Sequence, residues 1–313
     1  MSLPSPSSAR LTIGTRGSPL ALWQARAVRD ALSIALGRHA DTIDITVIRT
    51  SGDRIQDRAL SQVGGKGLFT KEIEDALLET QVDLAVHSAK DVATVLPERL
   101  HLAGYLPRAD VRDALILRQG SSLGDLPVGA HVGTASLRRE AQLRRIRPDL
   151  KVSLLRGNVH TRLAKVHDGE FDATLLALAG LTRLSMAAAA SAVLNTDDFL
   201  PAVGQGAVAI ECRRDDAATN AAIAAISCRA TGIALDAERA LLNALDGSCR
   251  TPIAGLAQVD GHMVRLRGLV LTPDGGDAAE VDLSGPLADA AALGAAGGAQ
   301  LRCSAPARAL GLV

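Results

Sequence analysis

Aromatic side chains are nearly missing from this chain, at 2% of its 313 residues. A protein that grips single-stranded nucleic acid needs aromatic stacking platforms, so that class is disfavoured. Net charge is missing too: 34 Lys+Arg balance 34 Asp+Glu, leaving no global field to draw in DNA or an anionic membrane. Cysteines are few and far apart (Cys212, Cys228, Cys249, Cys303), with no CxxC pair. That pattern fits neither a zinc site nor a dense disulfide framework. The histidines form no HExxH set, so no metal is expected. Residues 1–10 are rich in Ser and Pro without an apolar core, which disfavours a secretory signal. The most apolar stretch, 186–194, is alanine-rich and too short to span a bilayer. The expectation is a cytoplasmic protein with neither a membrane nor a nucleic-acid partner.

What the chain does have is aliphatic bulk. Hydrophobic residues make up 47%, enough to bury a large core of Ala, Leu, Val and Ile, and the length suggests two or three domains. Short apolar runs at 11–15, 44–50, 83–88, 100–106, 114–118, 132–134, 152–156 and 173–179 predict strands. Amphipathic segments at 19–36, 68–78, 137–146 and 159–167 predict helices between them. This βαβα rhythm indicates α/β layers with largely parallel sheets. Ser18 followed by Pro19 is a well-signalled helix start. After a Gly/Pro break at 201–206 and a strand at 207–212, the pattern changes. A helix over 233–245, a hairpin signal at 260–262 and an Ala/Gly-rich tail with one helix predict a small α+β unit.

The positive charge is almost all arginine, since only Lys66, Lys71, Lys90, Lys151 and Lys165 are lysines. Arginine suits bidentate recognition of carboxylates. Arg16 follows the first predicted strand, Lys66 sits in a glycine-rich 64–67 loop and Lys90 follows the strand at 83–88. Arg138 and Arg139 open a helix, Arg156 ends a strand, and Arg162 lies in the first turn of the next helix. In open α/β sheets ligands bind at the carboxyl ends of strands. A cation at a helix start opposes the macrodipole by about 0.3–1 kcal/mol, so the repeated placement calls for a compensating anion. Any one of these arginines is more simply a solvated surface residue; jointly they imply a multi-carboxylate or phosphate ligand in a cleft between two α/β units. The P-loop spacing is absent, which disfavours nucleotides. Asp91 stands at a strand end, where a carboxylate can act as acid or base and hold a developing cation. By itself it reads more simply as a turn cap or a partner of the neighbouring lysine. Cys249, in a loop beside Arg250, is the most thiolate-prone of the cysteines.

These residues fall in collinear motifs: 15–24 (Thr-Arg-Gly-Ser-Pro-Leu-Ala-Leu-Trp-Gln), 63–72 (Val-Gly-Gly-Lys-Gly-Leu-Phe-Thr-Lys-Glu), 85–91, 133–139, 155–163 and 200–207, completed by Gly247-Ser248-Cys249. Through them nearly the whole chain resembles the porphobilinogen deaminase (hydroxymethylbilane synthase) family. The resemblance implies two periplasmic-binding-protein-like α/β domains around a cleft plus a small α+β third domain. The implied boundaries are 1–106 with 201–226, then 107–200, then 227–313. It further implies a transferase that joins four porphobilinogen molecules head to tail on a dipyrromethane cofactor held by a thioether to Cys249, working as a monomer.

Residue by residue, the resemblance makes Asp91 catalytic, binding pyrrole N–H groups and stabilising the cation formed as ammonia leaves. It gives Lys90, Thr134, Ser136, Arg138, Arg139 and Arg162 to the cofactor. To the substrate it gives Arg16, Ser18, Gln24, Lys66, Arg156, Arg183 and Gln205. The chain departs from the family pattern at Gln62, often lysine, at Ala93, commonly proline, and at Ala135, usually serine. A non-enzymatic solute-binding protein for a small di- or tricarboxylate would use the same arginines but leaves Cys249 unexplained. A nucleic-acid binder using 138–147 is opposed by the charge balance.

Overall fold

The structure, a computed structural model, describes residues 10–54, 68–245 and 251–305. The expectations for Gln62, the 64–67 loop with Lys66, and Cys249 lie outside the described residues.

Strand β1 (Leu11–Thr15) runs into helix α1 (Pro19–Leu36). The helix starts where expected because Ser18 Oγ accepts from the Ala21 N–H at 3.2 Å while Pro19 fills the first turn. It stops at Gly37, whose left-handed φ of 60° lets its N–H return to the last carbonyls. There follow β2 (Ile43–Val47), α2 (Ser51–Arg54), α3 (Lys71–Leu78), β3 (Leu84–Ser88) and β4 (Leu100–Tyr105). The chain then crosses into a second unit: β5 (Asp113–Leu117), β6 (His131–Gly133), α4 (Leu137–Ile146), β7 (Lys151–Ser153), α5 (Val159–His167), β8 (Ala173–Ala177), α6 (Leu178–Arg183) and β9 (Ala192–Val193). It returns as β10 (Val208–Arg213), followed by α7 (Ala217–Ala224) and α8 (Arg229–Ala244). The last unit is β11 (Ile253–Asp260), β12 (Met263–Leu271), β13 (Ala278–Pro286) and α9 (Ala290–Ser304).

The first five-stranded sheet has the order β2-β1-β3-β10-β4 and the second β7-β6-β8-β5-β9. They share one plan: three parallel strands, then a strand running the other way. That reversed strand is the one by which the chain enters or re-enters the lobe. The expectation of largely parallel sheets is therefore corrected. β10 runs antiparallel to β3 and β4, and β5 antiparallel to β8 and β9. Period and composition do not encode strand direction; here it follows from which lobe the chain has just left. The sequence reading also missed α2, α6, α7, β9 and β13, and began α8 four residues late, at 233 instead of Arg229.

The third sheet, β11-β12-β13, is antiparallel throughout. One face packs with α8 and α9 in a cluster that also takes in Val92, Tyr105 and Val203 from the first lobe. The other face joins Ala141 of α4 and Leu200. The small unit is thus wedged against both lobes. The two crossings touch: Ala109 donates to the Gly206 carbonyl at 3.1 Å, and Gln205 Nε2 donates to the Val111 carbonyl at 2.7 Å. Gly206 has a left-handed φ of 85°, and a Cβ there would lie 2.6 Å from the Ala109 oxygen. Only glycine meets both demands.

Candidate active site

An open cavity in the first lobe is lined by Arg16, Ser18 and Gln24 from the β1–α1 junction and by Phe69 and Thr70. His87, Ser88 and Asp91 complete it from β3 and the single turn after it. Strand β3 is buried over Leu84–His87, which fixes its end, and the turn Ala89–Asp91 then delivers Asp91 to the rim. The Asp91 carboxylate is half-buried and takes no hydrogen bond from a side chain among the described residues.

The other expected residues that line this cavity are already engaged. Arg16 holds Asp53, with Nε 3.1 Å from Oδ1, and its guanidinium stacks 4.2 Å from the Phe69 ring centroid. Burial opposes ionisation of Asp53, but hydrogen bonds from Arg16 and Thr50 outweigh it and keep its pKa below the ordinary carboxylate value. Gln24 is buried and donates to Ser88 Oγ at 2.9 Å. Ser18 spends its hydroxyl on the α1 cap.

Across from this cavity stand the cations of the second lobe. Arg138 and Arg139 open α4, whose cap is Ser136 accepting from the Arg139 N–H at 3.4 Å. Thr134 Oγ1 in turn accepts from the Ser136 N–H at 3.1 Å. Arg162 sits in the first turns of α5 and donates to the Gly157 carbonyl at 2.9 Å. The pKa values report how these groups face one another. Lys90 is reached by solvent, yet protein surrounds it, and desolvation with the Arg139 charge lowers its pKa to about 8. Burial and the charges of Arg139 and Arg156 lower that of Arg162 to about 10, partly offset by Asp91. Asp91 therefore lies within electrostatic reach of a cation on the opposite lobe, in a field of mutually repelling positive charges. Such a field fits a ligand bearing several carboxylates.

Two expected ligand arginines have a partner that sequence reasoning missed. Asp113, at the start of β5, is wholly buried. Arg138 Nη1 lies 2.8 Å from its Oδ2 and Arg139 Nη2 2.7 Å from its Oδ1. Gln205 Nε2 donates to the same Oδ1 as Arg139, at 3.0 Å. Burial works against the charged form, but the two guanidiniums outweigh it and hold Asp113 well below the usual carboxylate range. Arg138 and Arg139 are each 5% exposed, and each also donates to a backbone carbonyl, Arg138 to Leu200 at 2.8 Å and Arg139 to Leu175 at 2.9 Å, so both are held by the fold. Arg183 likewise donates to the Gly206 carbonyl at 2.7 Å and lies 5.5 Å from the Trp23 ring centroid. Arg156 is half-buried near Arg162. An aspartate one residue before an apolar run gave no local signal of any of this; its partners lie 25 or more residues away.

Two α/β lobes of one plan, with a cluster of cations facing a carboxylate that takes no side-chain hydrogen bond among the described residues, define a two-lobed α/β protein with a charged cleft. The chain belongs to the porphobilinogen deaminase family. The family model for the dipyrromethane cofactor binding domain matches residues 11–221, and the model for the C-terminal domain matches 233–302. A porphobilinogen deaminase of Nitrobacter hamburgensis is 59% identical over 93% of this chain and 92% of its own length. One from Paracoccus denitrificans is 54% identical over 95% of each. Among solved structures, the chain is similar to the methionine-binding protein MetQ, with a TM-score of 0.45 at 11% identity over 70% of this chain and 91% of that one. The chain is accordingly a transferase of tetrapyrrole biosynthesis that makes hydroxymethylbilane from porphobilinogen on a dipyrromethane cofactor. No single helix among the described residues is long and apolar enough to cross a membrane.

Proposed function

We propose that Asp91 is the catalytic group, and that residues of the two lobes divide the carboxylates between them. The observation that carries this reading is the Asp91 carboxylate, without a side-chain hydrogen bond among the described residues, facing crowded, mutually repelling cations. When bound, the dipyrromethane supplies the pyrrole carbon to which the incoming substrate is joined. Lys90, Arg139 and Arg162, with Ser136 and Thr134, hold its acetate and propionate groups, and Arg138 supports Arg139 from behind through Asp113. Cys249 is the attachment point.

Arg16, Ser18, Gln24, Lys66, Arg156, Arg183 and Gln205 form the substrate side. Within it Gln205 and Arg183 act on the lobe crossings. Binding requires Arg16 to exchange Asp53 for a substrate carboxylate, one ion pair for another. Asp91 then accepts the pyrrole N–H and balances positive charge as ammonia departs, the electrostatic stabilisation expected of a preformed carboxylate.

The same reading divides the chain into 1–106 with 201–226, 107–200 and 227–313. It makes the protein a cytoplasmic monomer with neither nucleic acid nor membrane as partner, which sedimentation of the purified protein would check for the oligomeric state.

The test is intact mass. The purified protein carries one dipyrromethane, and Cys249→Ser does not. Asp91→Ala keeps the cofactor but turns over porphobilinogen at least 100-fold more slowly, on the order expected for loss of an acid–base or electrostatic group. A Cys249→Ser protein that made tetrapyrrole normally would overturn the attachment site, and an Asp91→Ala protein of ordinary rate would overturn the role of Asp91.

A further inference from the structure

The turn that presents Asp91 is gripped from behind by the helix that leads to Cys249. Arg239, near the end of α8, donates Nη2 to the Ala93 carbonyl at 2.7 Å and to the Thr94 carbonyl at 3.2 Å, with a weaker 3.5 Å contact from Nη1 to the Val92 carbonyl. One guanidinium thus takes up the backbone of the three residues that follow Asp91. These carbonyls belong to an irregular segment with no sheet to satisfy them, and a planar fork of five N–H donors suits successive carbonyls. Val92 adds an apolar anchor to the same helix, since it is 6% exposed in the cluster containing Ala237 and Leu241. Glu238, the residue before Arg239, is fully buried and pairs with Arg108 at 2.6 Å. It also accepts from the Gly204 N–H at 2.7 Å. That pair fixes α8 against the crossing, so the base of the Arg239 side chain does not drift.

We infer that Arg239 is a positioning residue for Asp91. It ties the turn bearing the carboxylate to α8, so that the acid–base group is held by a helix anchored on the lobe crossing. The inference rests on the proposed role of Asp91. Arg239 touches neither ligand in this scheme and acts only through the 92–94 segment. The segment has little stiffness of its own: Ala93 donates no backbone hydrogen bond among the described residues, and Val92 has φ −84° and ψ 131°. That conformation is the one a residue adopts before proline. Ala93→Pro therefore removes no hydrogen bond, requires no change at Val92, and stiffens the segment by an independent route.

The experiment compares Arg239→Gln, Arg239→Lys, Ala93→Pro, Arg239→Gln with Ala93→Pro, and Asp91→Ala, all as holoenzyme verified by intact mass. Arg239→Gln should lower kcat roughly 10- to 100-fold with KM within about twofold, because a misplaced catalytic group costs rate before it costs binding. Arg239→Lys should keep a larger share of kcat, and Ala93→Pro should leave the parent rate within about twofold and return about fivefold or more of the kcat lost in Arg239→Gln. Wild-type kcat in Arg239→Gln holoenzyme, while Asp91→Ala is slow, would overturn the positioning role alone. So would a loss that tracks only the fraction of protein lacking cofactor, or an Ala93→Pro that raises the melting temperature of Arg239→Gln without restoring rate. Normal turnover by Asp91→Ala would remove the Asp91 reading first, and this inference with it.

Discussion

Asp113 shows how much a single buried carboxylate can organise. Its two oxygens take Arg138, Arg139 and Gln205, all nearly or wholly buried, from α4 and the return crossing. Asp113→Asn leaves two guanidiniums buried without their counter-charge, and the expected loss is about 3–5 kcal/mol of stability, read from a urea transition. Because the folded pKa is depressed, the stabilisation is complete above the unfolded carboxylate's pKa of ~3.9 and is lost progressively as pH falls from there to the lower folded value. Lys90 carries the opposite sign. Its pKa of about 8 means that the free enzyme loses this cation as pH rises through that value. An alkaline fall in kcat/KM should therefore centre near pH 8, and Lys90→Arg should move it well upward. A profile unchanged by Lys90→Arg would show that some other group sets that limb.

At the scale of elements, α8 and α9 approach each other backbone to backbone. A Cβ on Gly294 would stand 2.1 Å from the Ala237 carbonyl oxygen, and one on Gly298 2.5 Å from the Ala244 Cβ. Helix propensity alone favours Gly294→Ala by about 1 kcal/mol. Contact with backbone that cannot yield reverses the sign, and Gly294→Ala should destabilise by about 1–3 kcal/mol in thermal or chemical unfolding. Helix α9 was expected from composition, yet this close approach was not legible. A Gly/Ala-rich tail reads the same whether its glycines are loose or pressed against another helix.

At the scale of the whole molecule, the single tryptophan reports on the lobes. Trp23 lies on α1 of the first lobe, 39% exposed, with Arg183 of the second lobe over its ring. Arg183→Ala should shift the emission maximum of Trp23 to longer wavelength as the indole gains water, and saturating porphobilinogen should change emission in the parent but much less in the variant. Identical spectra for parent and variant would mean the two lobes do not meet there in solution. The crossings set how the lobes are joined. Gly206→Ala, which must place a Cβ 2.6 Å from the Ala109 oxygen at a φ of 85°, should cost stability by about 1–3 kcal/mol in the same unfolding measurement.

Local chemistry in the chain was sufficient for the start and end of α1 and for nine of the ten strands before the third unit. Each depends on neighbours in sequence: a cap, a proline, a glycine, an apolar run. The motifs that carry the family resemblance singled out Asp91, Arg138, Arg139 and Arg162 for the same reason. Tertiary structure alone decided the direction of β5 and β10, the pairing of Arg138 and Arg139 with Asp113, and the grip of Arg239 on residues 92–94. These depend on contacts between residues 25 to 147 positions apart. A buried charge must find its partner wherever the fold brings one, and no short window of sequence contains both members of such a pair.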